Sequence, residues 1–145
     1  MFKHILVPTD GSKLSEKAVK HAVSLARQSN AKVTALHVIP KFHTFTYNTE
    51  MLEATEKGYA VSAAEHAKQY LRFAERAAKV ADVDCDTLTT MGDHPFKEII
   101  KTAKKKDCDL ILMASHGRRG IEGFLLGSET QKVLTHSNVP VLVYR

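Results

Sequence analysis

Five short apolar segments alternate along the chain with segments of helical periodicity, and this alternation restricts the fold more than any other feature. The apolar segments are HILVPTD (residues 4–10), KVTALHVIP (32–40), CDTLTTM (85–91), DLILMAS (109–115) and VPVLVYR (139–145). Alternating strands and helices favour a parallel sheet with helices on both faces. A length of 145 residues is typical of one domain, so we expect one α/β domain over residues 1–145.

The segments between these strands predict four helices. Ser12 is a suitable N-cap for the first helix, and Pro95 is tolerated in the first turn of the third. The second helix is predicted from about Ala60 to Ala81, whereas the mixed, aromatic segment 41–58 is not assigned to any element. A fourth helix is predicted over SETQKVLTHS (128–137). The apolar positions that share a face are Leu14, Ala18, Ala22, Leu25 and Ala26 in the first helix, and Val61, Ala64, Leu71, Ala74 and Ala78 in the second.

Right-handed crossover connections leave few arrangements of five parallel strands. We expect the order 3-2-1-4-5, a Rossmann-like sheet whose winding direction reverses between strands 1 and 4. In such sheets, ligands bind at the carboxyl ends of the strands, beside the point of reversal. The sequence Pro-Thr-Asp-Gly (8–11) ends strand 1, and Ala-Ser-His-Gly (114–117) ends strand 4. These two turns should therefore face each other.

The segment MASHGRRGIEGFLLGSETQ (113–131) contains four glycines between apolar runs. It lacks the Gly-Lys-Ser/Thr of a P-loop and the GxGxxG of a dinucleotide-binding turn. Gly117 and Gly120 permit positive φ and close backbone approach, and successive N–H groups in such turns can bind an anion. Arg118 and Arg119 add positive charge to the same segment.

Gly127 and Ser128 lie where the last helix should begin. The first amides of a helix have no partner within the helix, and the helix dipole favours negative charge beside them. Ser128 or Thr130 can add a hydroxyl donor. The segment therefore suits the phosphates of a nucleotide, and the alternative is a capped loop whose glycines serve only to turn the chain.

The charge of the chain raises the question of nucleic acid as a partner. The net charge is +5 with neutral histidines, and much of the excess lies in KTAKKKD (101–107), at the end of the third predicted helix. Lysines there are typical of a solvated helix C-terminus. No strand interleaves aromatic and basic residues as a nucleic-acid surface requires. We therefore predict no nucleic-acid partner.

The cellular setting follows from what the sequence lacks. No run of about 18 apolar residues is present, so no membrane insertion is expected, and the first residues do not have the layout of a signal peptide. Cys85 and Cys108 have neither a metal-type spacing nor the pattern of a disulfide framework. These features favour a cytoplasmic location.

Three segments, ILVPTDGS, MASHGRRGIEGFLLGS and VLTHSNVPVLVYR, resemble the universal stress protein family in its single-domain bacterial form, and the resemblance spans the chain. The nucleotide-binding branch of that family has a glycine, two residues, a second glycine, nine residues, and then Gly-Ser or Gly-Thr. The corresponding positions are Ala114, Gly117, Gly127 and Ser128, and RRGIEGFLL supplies the nine residues. Ala114 departs from the pattern: alanine fits there at negative φ, whereas positive φ would cost about 1 kcal/mol.

The resemblance implies an ATP site across the point of reversal, with Mg²⁺ on the phosphates. No metal ligand on the protein is assigned. The turn at Asp10 would contact the nucleoside, Val38 would border adenine, and the glycine-rich segment would surround ribose and phosphates. Plainer roles are a helix cap for Asp10, core packing for Val38 and Met113, and a solvated Arg118. The implied ATP-binding residues are Pro8, Thr9, Asp10, Val38, Met113, Ala114, His116, Gly117, Arg118, Gly127, Ser128, Glu129 and Thr130.

Catalysis receives little support from the sequence. Ser115 is not in a GxSxG turn, and adjacent Ser115 and His116 should point apart at the end of a strand. No residue is marked to position water for ATP hydrolysis. We expect an ATP-binding regulatory module of the stress response rather than a committed enzyme. The alternatives are a nucleotide-independent regulatory homodimer and a slow ATPase.

The last strand indicates a possible protein partner. VPVLVYR (139–145) is apolar and should form an edge of the sheet, and an exposed apolar edge tends to pair with another chain. A two-fold homodimer through residues 139–145 closes such a contact, and the family resemblance also implies homodimers. The alternative is a final strand that a helix covers.

Overall fold

A computed structural model of the protein describes residues 1–43, 49–118 and 126–145, with the side chains of 49–52 left out. Arg119 and Gly120, to which the sequence analysis gave roles in the glycine-rich segment, lie outside the described residues. The elements in chain order are β1 (His4–Pro8), α1 (Lys13–Ser29), β2 (Lys32–Ile39), α2 (Thr49–Val80), β3 (Cys85–Met91), α3 (Pro95–Lys105), β4 (Leu110–Ala114), α4 (Ser128–His136) and β5 (Val141–Tyr144). The predicted alternation is confirmed.

The five strands form one parallel sheet in the order β3-β2-β1-β4-β5. Strand β1 lies at the centre, where Ile5 pairs with Val33 of β2 on one side and with Leu110 of β4 on the other. The winding direction therefore reverses between β1 and β4, as predicted. Because all strands run the same way, their carboxyl ends lie along one edge of the sheet.

The two faces of the sheet are covered by different helices. Ile5 and Val7 of β1 pack in a cluster with residues of α1 and α2, whereas Leu6 packs with α3 and α4. The buried helix positions on the first face are Ala18, Ala22 and Ala26 of α1 and Leu71, Ala74 and Ala78 of α2. Full burial of a leucine or isoleucine contributes about 1.5–3 kcal/mol, so both faces supply a core.

Helices α1, α3 and α4 begin at the positions that the sequence predicts. The Ser15 amide donates to Ser12 Oγ at 3.2 Å, so Ser12 is the N-cap of α1 as expected. Pro95 starts α3, and Lys104 and Lys105 lie in its last turn, where cations are favourable. Gly127 is the N-cap of α4.

Helix α2 differs from the prediction. It begins at Thr49 rather than near Ala60, because the segment TEMLEATEKG contains strong helix formers that its aromatic neighbours obscure. Val61 is 66% exposed and Ala64 is also exposed, so their predicted place in the buried stripe is wrong. The buried stripe begins at Ala67, and the part of α2 before it borders a cleft instead of the core.

Candidate functional site

A cleft of about 810 Å³ opens at the carboxyl ends of the strands, beside the point of reversal. The turns after β1 and β4 form opposite walls, and the N-terminus of α4 closes one end. The family resemblance implies thirteen ATP-binding residues, and all of them line the cleft. They are Pro8, Thr9, Asp10, Val38, Met113, Ala114, His116, Gly117, Arg118, Gly127, Ser128, Glu129 and Thr130. The structure therefore gathers the predicted positions at one site.

Asp10 joins the two turns directly. Its Oδ1 accepts the Ser12 amide at 2.9 Å, and its Oδ2 accepts the Arg118 amide at 2.8 Å. Arg118 Nε also donates to the Asp10 carbonyl oxygen at 2.8 Å. The carboxylate thus forms a turn before α1 and holds a segment 108 residues away along the chain, whereas the cap of α1, the plainer role predicted for Asp10, is supplied by Ser12.

Burial of the Asp10 carboxyl acts to raise its pKa, but hydrogen bonds oppose this effect. Donors from Ser12, the Arg118 amide and Ser15 stabilise the ionised form, and the net result is a pKa below the ordinary value of 3.8. The carboxylate is therefore charged at neutral pH. The exposed guanidinium of Arg118 bonds the Asp10 backbone rather than its carboxylate, and it also donates to Tyr70 Oη at 3.0 Å.

Gly117 is required by close packing rather than by backbone conformation. A Cβ at this position would lie closer than 3.0 Å to Asp10 Oδ2, whereas the φ of Gly117 is outside the left-handed region. Of the two properties of glycine that the sequence analysis named for this position, close approach is used at Gly117 and positive φ is not. Positive φ occurs instead at Gly11, with φ of 76°, in the opposite turn.

Ala114 fits its position without strain. It is the last residue of β4, pairs with Tyr144 of β5, and is not among the described residues with positive φ. Its side chain is buried in the cluster on the α1 face. The departure from the family's glycine therefore adds a methyl group to the core and leaves the backbone of the cleft as the pattern requires.

The N-terminus of α4 lies against the turn after β4. The Gly127 amide donates to the Ser115 carbonyl oxygen at 2.7 Å, and the first bond within the helix runs from the Gln131 amide to the Gly127 carbonyl oxygen at 3.0 Å. The amides of residues 128–130 consequently have no acceptor within the helix. The Thr130 hydroxyl donates to the Ala114 carbonyl oxygen at 2.9 Å, which leaves the exposed Ser128 to supply a free hydroxyl.

All four helices follow the carboxyl end of a strand, and three of them, α1, α3 and α4, have a described N-cap at this edge. Two of these three have a side-chain acceptor for an amide of the first turn. Ser12 caps α1, and Glu129 Oε2 accepts the Phe96 amide in the first turn of α3 at 2.9 Å. Helix α4 has the glycine Gly127 as its N-cap and no side-chain cap. The uncapped α4 is thus the helix whose positive end is open to an anion, whereas the Glu129 carboxylate is turned towards α3.

Contrary to the prediction from the sequence, the side chains of Ser115 and His116 do not point apart. Ser115 Oγ and His116 Nδ1 share a hydrogen bond at 3.2 Å, although strand alternation predicts that the side chains diverge. The strand ends at Ala114, so alternation no longer governs the next two residues. Ser115 is buried and Asp10 is committed to the two turns, so no hydrogen-bonded Ser-His-Asp series forms among them.

Helix α2 contributes a wall that the sequence analysis missed. Five of its side chains line the cleft at helical spacing: Tyr59, Ser62, Ala63, His66 and Tyr70. The Tyr59 hydroxyl donates to the Pro40 carbonyl oxygen at 2.5 Å and so joins α2 to the end of β2. The spacing i, i+3, i+4, i+7 and i+11 is visible in the sequence, but it fits a core-facing stripe equally well, so only the tertiary structure shows that these residues face the cleft.

Metal and thiol chemistry find little support among the described residues. Within residues 1–43, 49–118 and 126–145, no group of three or more His, Cys, Asp or Glu side chains could hold a metal ion. Burial raises the pKa of both Cys85 and Cys108 to about 11, which keeps them protonated at neutral pH.

A parallel sheet of this order, with a cleft at its point of reversal and a helix N-terminus without a side-chain cap beside it, defines a doubly wound α/β protein, a class in which ligands bind at the carboxyl edge of the sheet. A model of the universal stress protein family matches residues 1–145. The chain belongs to the universal stress protein family.

The relatives agree with this assignment over their full lengths. The chain is 34% identical to universal stress protein YxiE of Bacillus subtilis, and the match covers both chains completely. The solved structure of protein MJ0577 of Methanocaldococcus jannaschii is similar with a TM-score of 0.83 and 32% identity, over 99% of this chain and 96% of that one. A universal stress protein in complex with cAMP is similar with a TM-score of 0.73 and 28% identity, over 99% and 97%.

None of the described helices combines the length and the hydropathy needed to cross a membrane.

Proposed function

We propose that this protein binds ATP, with Mg²⁺, in the cleft and acts as a nucleotide-responsive regulatory module of the cytoplasmic stress response. The observation that supports the proposal best is the uncapped N-terminus of α4, which borders the cleft beside the turn held by Asp10. Amides without helical partners, a positive helix end and a free Ser128 hydroxyl form a site for phosphate. The similar structure of a universal stress protein with cAMP supports a nucleotide as the ligand class.

The remaining walls fit the rest of a nucleotide. Val38 at the end of β2 and Met113 at the end of β4 are apolar, pack on the α3 and α4 face, and would contact the base. The amides of residues 128–130 would bind phosphate oxygens, and Arg118 would add positive charge on the opposite side. Mg²⁺ would supply further neutralisation of the phosphate charge.

The experiment that tests this proposal is thermal unfolding with Mg-ATP, with adenosine at the same Mg²⁺ concentration as the matched ligand that lacks phosphates. A ligand at 100 times its Kd stabilises the native state by about 2.7 kcal/mol, which raises the Tm of a domain of this size by roughly 5–11 °C. We expect a shift of this order with Mg-ATP, a smaller one with adenosine, and none with Mg-ATP in Gly117→Val. An equal absence of effect in wild type and variant would refute ATP binding.

Two further measurements separate the alternatives. We expect phosphate release from ATP to remain at background, because Asp10 is committed to the two turns and Ser115 is buried. Release that His116→Ala or Asp10→Ala abolishes would instead identify a hydrolase.

A nucleotide-independent homodimer through residues 139–145 is favoured by the position of β5 at the sheet edge and by Leu142, which is 39% exposed. Oligomeric state measured with and without Mg-ATP distinguishes this second function.

A further inference from the structure

We infer that Tyr70 of α2 is a positioning residue for the phosphate end of the cleft. Together with Asp10 it fixes Arg118, and we call these three residues the turn anchor. The inference rests on the proposed function for the identity of the ligand, whereas the placement of the turn can be measured without any ligand. The starting observation is that α2, from which the sequence analysis predicted no binding residue, lines the cleft.

Arg118 is held by both other members of the turn anchor. Its amide donates to Asp10 Oδ2 and its Nε donates to the Asp10 carbonyl oxygen, each at 2.8 Å. Its terminal Nη2 donates to Tyr70 Oη at 3.0 Å, and its guanidinium carbon lies 5.2 Å from the centre of the Tyr70 ring. An exposed arginine is ordinarily free to move, so three hydrogen bonds and a ring contact restrict it strongly.

The Tyr70 ring is itself restricted on several sides. It occupies the space beside Gly11, where a Cβ would lie closer than 3.0 Å to three of its ring atoms, and the φ of 76° at Gly11 also favours glycine. The His37 ring meets it edge-on with centres 5.1 Å apart, and the His66 ring stacks on it with centres 5.9 Å apart. His37 Nδ1 donates to the Thr9 carbonyl oxygen at 2.8 Å, which ties this arrangement to the end of β1.

Arg118 connects the turn anchor to the phosphate end of the cleft. Arg118 is three residues from Ser115, whose carbonyl oxygen accepts the amide of Gly127, the N-cap of α4. A fixed Arg118 therefore fixes the turn against which the open amides of α4 lie. Holding the turn in place before binding reduces the entropy lost when phosphate is bound. Loss of the Tyr70 hydroxyl should accordingly weaken binding of ATP more than binding of adenosine.

The first test measures the turn without ligand. Tyr70→Phe keeps the ring against Gly11 and removes only the bond to Arg118, so the variant should fold with an unchanged Tm. Amide hydrogen exchange of residues 115–118 should become about tenfold faster than in wild type. The matched control is Tyr144→Phe, because the Tyr144 ring stacks on His21 and its hydroxyl has no hydrogen bond within the described part of the chain. Unchanged exchange in Tyr70→Phe would overturn the inference.

The second test measures the coupling of Tyr70 and Arg118 in nucleotide binding. Arg118→Lys keeps the charge but cannot make the same forked contacts. We expect Tyr70→Phe and Arg118→Lys each to raise the Kd of Mg-ATP about 3–10-fold, to change the Kd of adenosine less than twofold, and together to weaken ATP binding no more than either alone. Independent, multiplying effects would overturn the inference, whereas failure of wild type to bind nucleotide would contradict the proposed function and leave the exchange result as the test of positioning.

Discussion

The carboxylate of Asp10 occupies the space that a side chain would need at Gly117, with Oδ2 closer than 3.0 Å to the position of a Cβ atom. This contact explains why the second position of the family's motif, Gly117, is a glycine in this protein: a side chain there would collide with Asp10. The turn after β4 approaches the turn after β1 closely enough for the Arg118 amide to donate to the same carboxylate. Glycine at 117 and aspartate at 10 therefore depend on each other.

Gly117→Ala should loosen the site and lower stability. The added methyl group must displace the Asp10 carboxylate, which places the cost in the range of about 1–3 kcal/mol found for overpacking. We expect this loss in urea unfolding. Because the displaced Asp10 carboxylate also holds the turn that borders the phosphate end of the cleft, we expect a rise of about tenfold in the Kd of Mg-ATP, which corresponds to about 1.4 kcal/mol of binding free energy.

The matched control for that prediction is Gly58→Ala in α2. A Cβ at Gly58 would meet nothing within 4 Å, and glycine in a helix interior is less stable than alanine by about 0.5–1 kcal/mol. The control should therefore gain stability and leave binding unchanged. Equal effects of the two substitutions would contradict the special role of Gly117.

Asp10 should contribute to stability only while it is ionised. Its pKa in the folded protein lies below the ordinary value of 3.8, so its contribution is complete above about pH 5 and is lost as pH falls below that value through the depressed pKa. We expect Asp10→Asn to be less stable than wild type at pH 7 and the difference to shrink towards pH 2. Urea unfolding across this range measures it.

Glu65→Gln provides the comparison for Asp10→Asn. The Glu65 carboxylate is exposed and lies 3.9 Å from Lys68, a contact of little energetic value at the surface. Its removal should leave the pH profile of stability close to that of wild type. An Asp10→Asn profile parallel to that of wild type down to pH 2 would show that Asp10 gains nothing from its ionised hydrogen bonds.

Ala114→Gly restores the family's glycine and should nevertheless bring no benefit. Ala114 has an ordinary strand conformation and a buried methyl group, so glycine loses about 0.5–1 kcal/mol of backbone preference and about 0.8 kcal/mol of burial. We expect the variant to be roughly 1–2 kcal/mol less stable, with a Kd for Mg-ATP within twofold of wild type. Binding at least tenfold tighter in isothermal titration would show that the methyl group obstructs the ligand.

The sheet could be predicted because its causes are local and general. Five apolar segments, their alternation with helices and the handedness of crossovers fix the order 3-2-1-4-5, and that order brings Asp10 next to Gly117. The reason for Gly117 could not be predicted, because it depends on a carboxylate 107 positions away. Tyr70 was missed for a related reason: its periodicity fits a core position equally well, and only the tertiary structure shows that it lies at the cleft.

Glu129 should stabilise the protein through a helix that is distant in sequence. Its carboxylate accepts the Phe96 amide in the first turn of α3, where His94, the N-cap, makes no side-chain hydrogen bond. Loss of a capping side chain costs about 0.5–2 kcal/mol. We expect Glu129→Ala to lower the free energy of unfolding by about 1 kcal/mol and Glu129→Gln to lower it less, because the amide oxygen still accepts the hydrogen bond.

The control for Glu129 is Glu98→Ala, which removes another acidic side chain from the first turn of α3. Its contribution through the helix dipole is about 0.3–1 kcal/mol at the surface, so its loss should be smaller than that of Glu129. Urea unfolding of the three variants orders these contributions. A Glu129→Ala variant as stable as wild type would show that water replaces the carboxylate at the Phe96 amide without cost.

The free edge of β5 predicts the oligomeric state. Strand β5 pairs only with β4 among the described strands, and its Leu142 is 39% exposed while Leu134 of α4 is 42% exposed. Burying such side chains against a second copy is favourable, and a two-fold contact uses the same edge of both copies. Light scattering should therefore give a mass of about twice 16.1 kDa for wild type and 16.1 kDa for Leu142→Lys.

Val80→Lys is the matched control for Leu142→Lys, because Val80 is 89% exposed at the end of α2, and this variant should remain dimeric. A wild-type mass of one chain, or dissociation of both variants alike, would rule out assembly through β5.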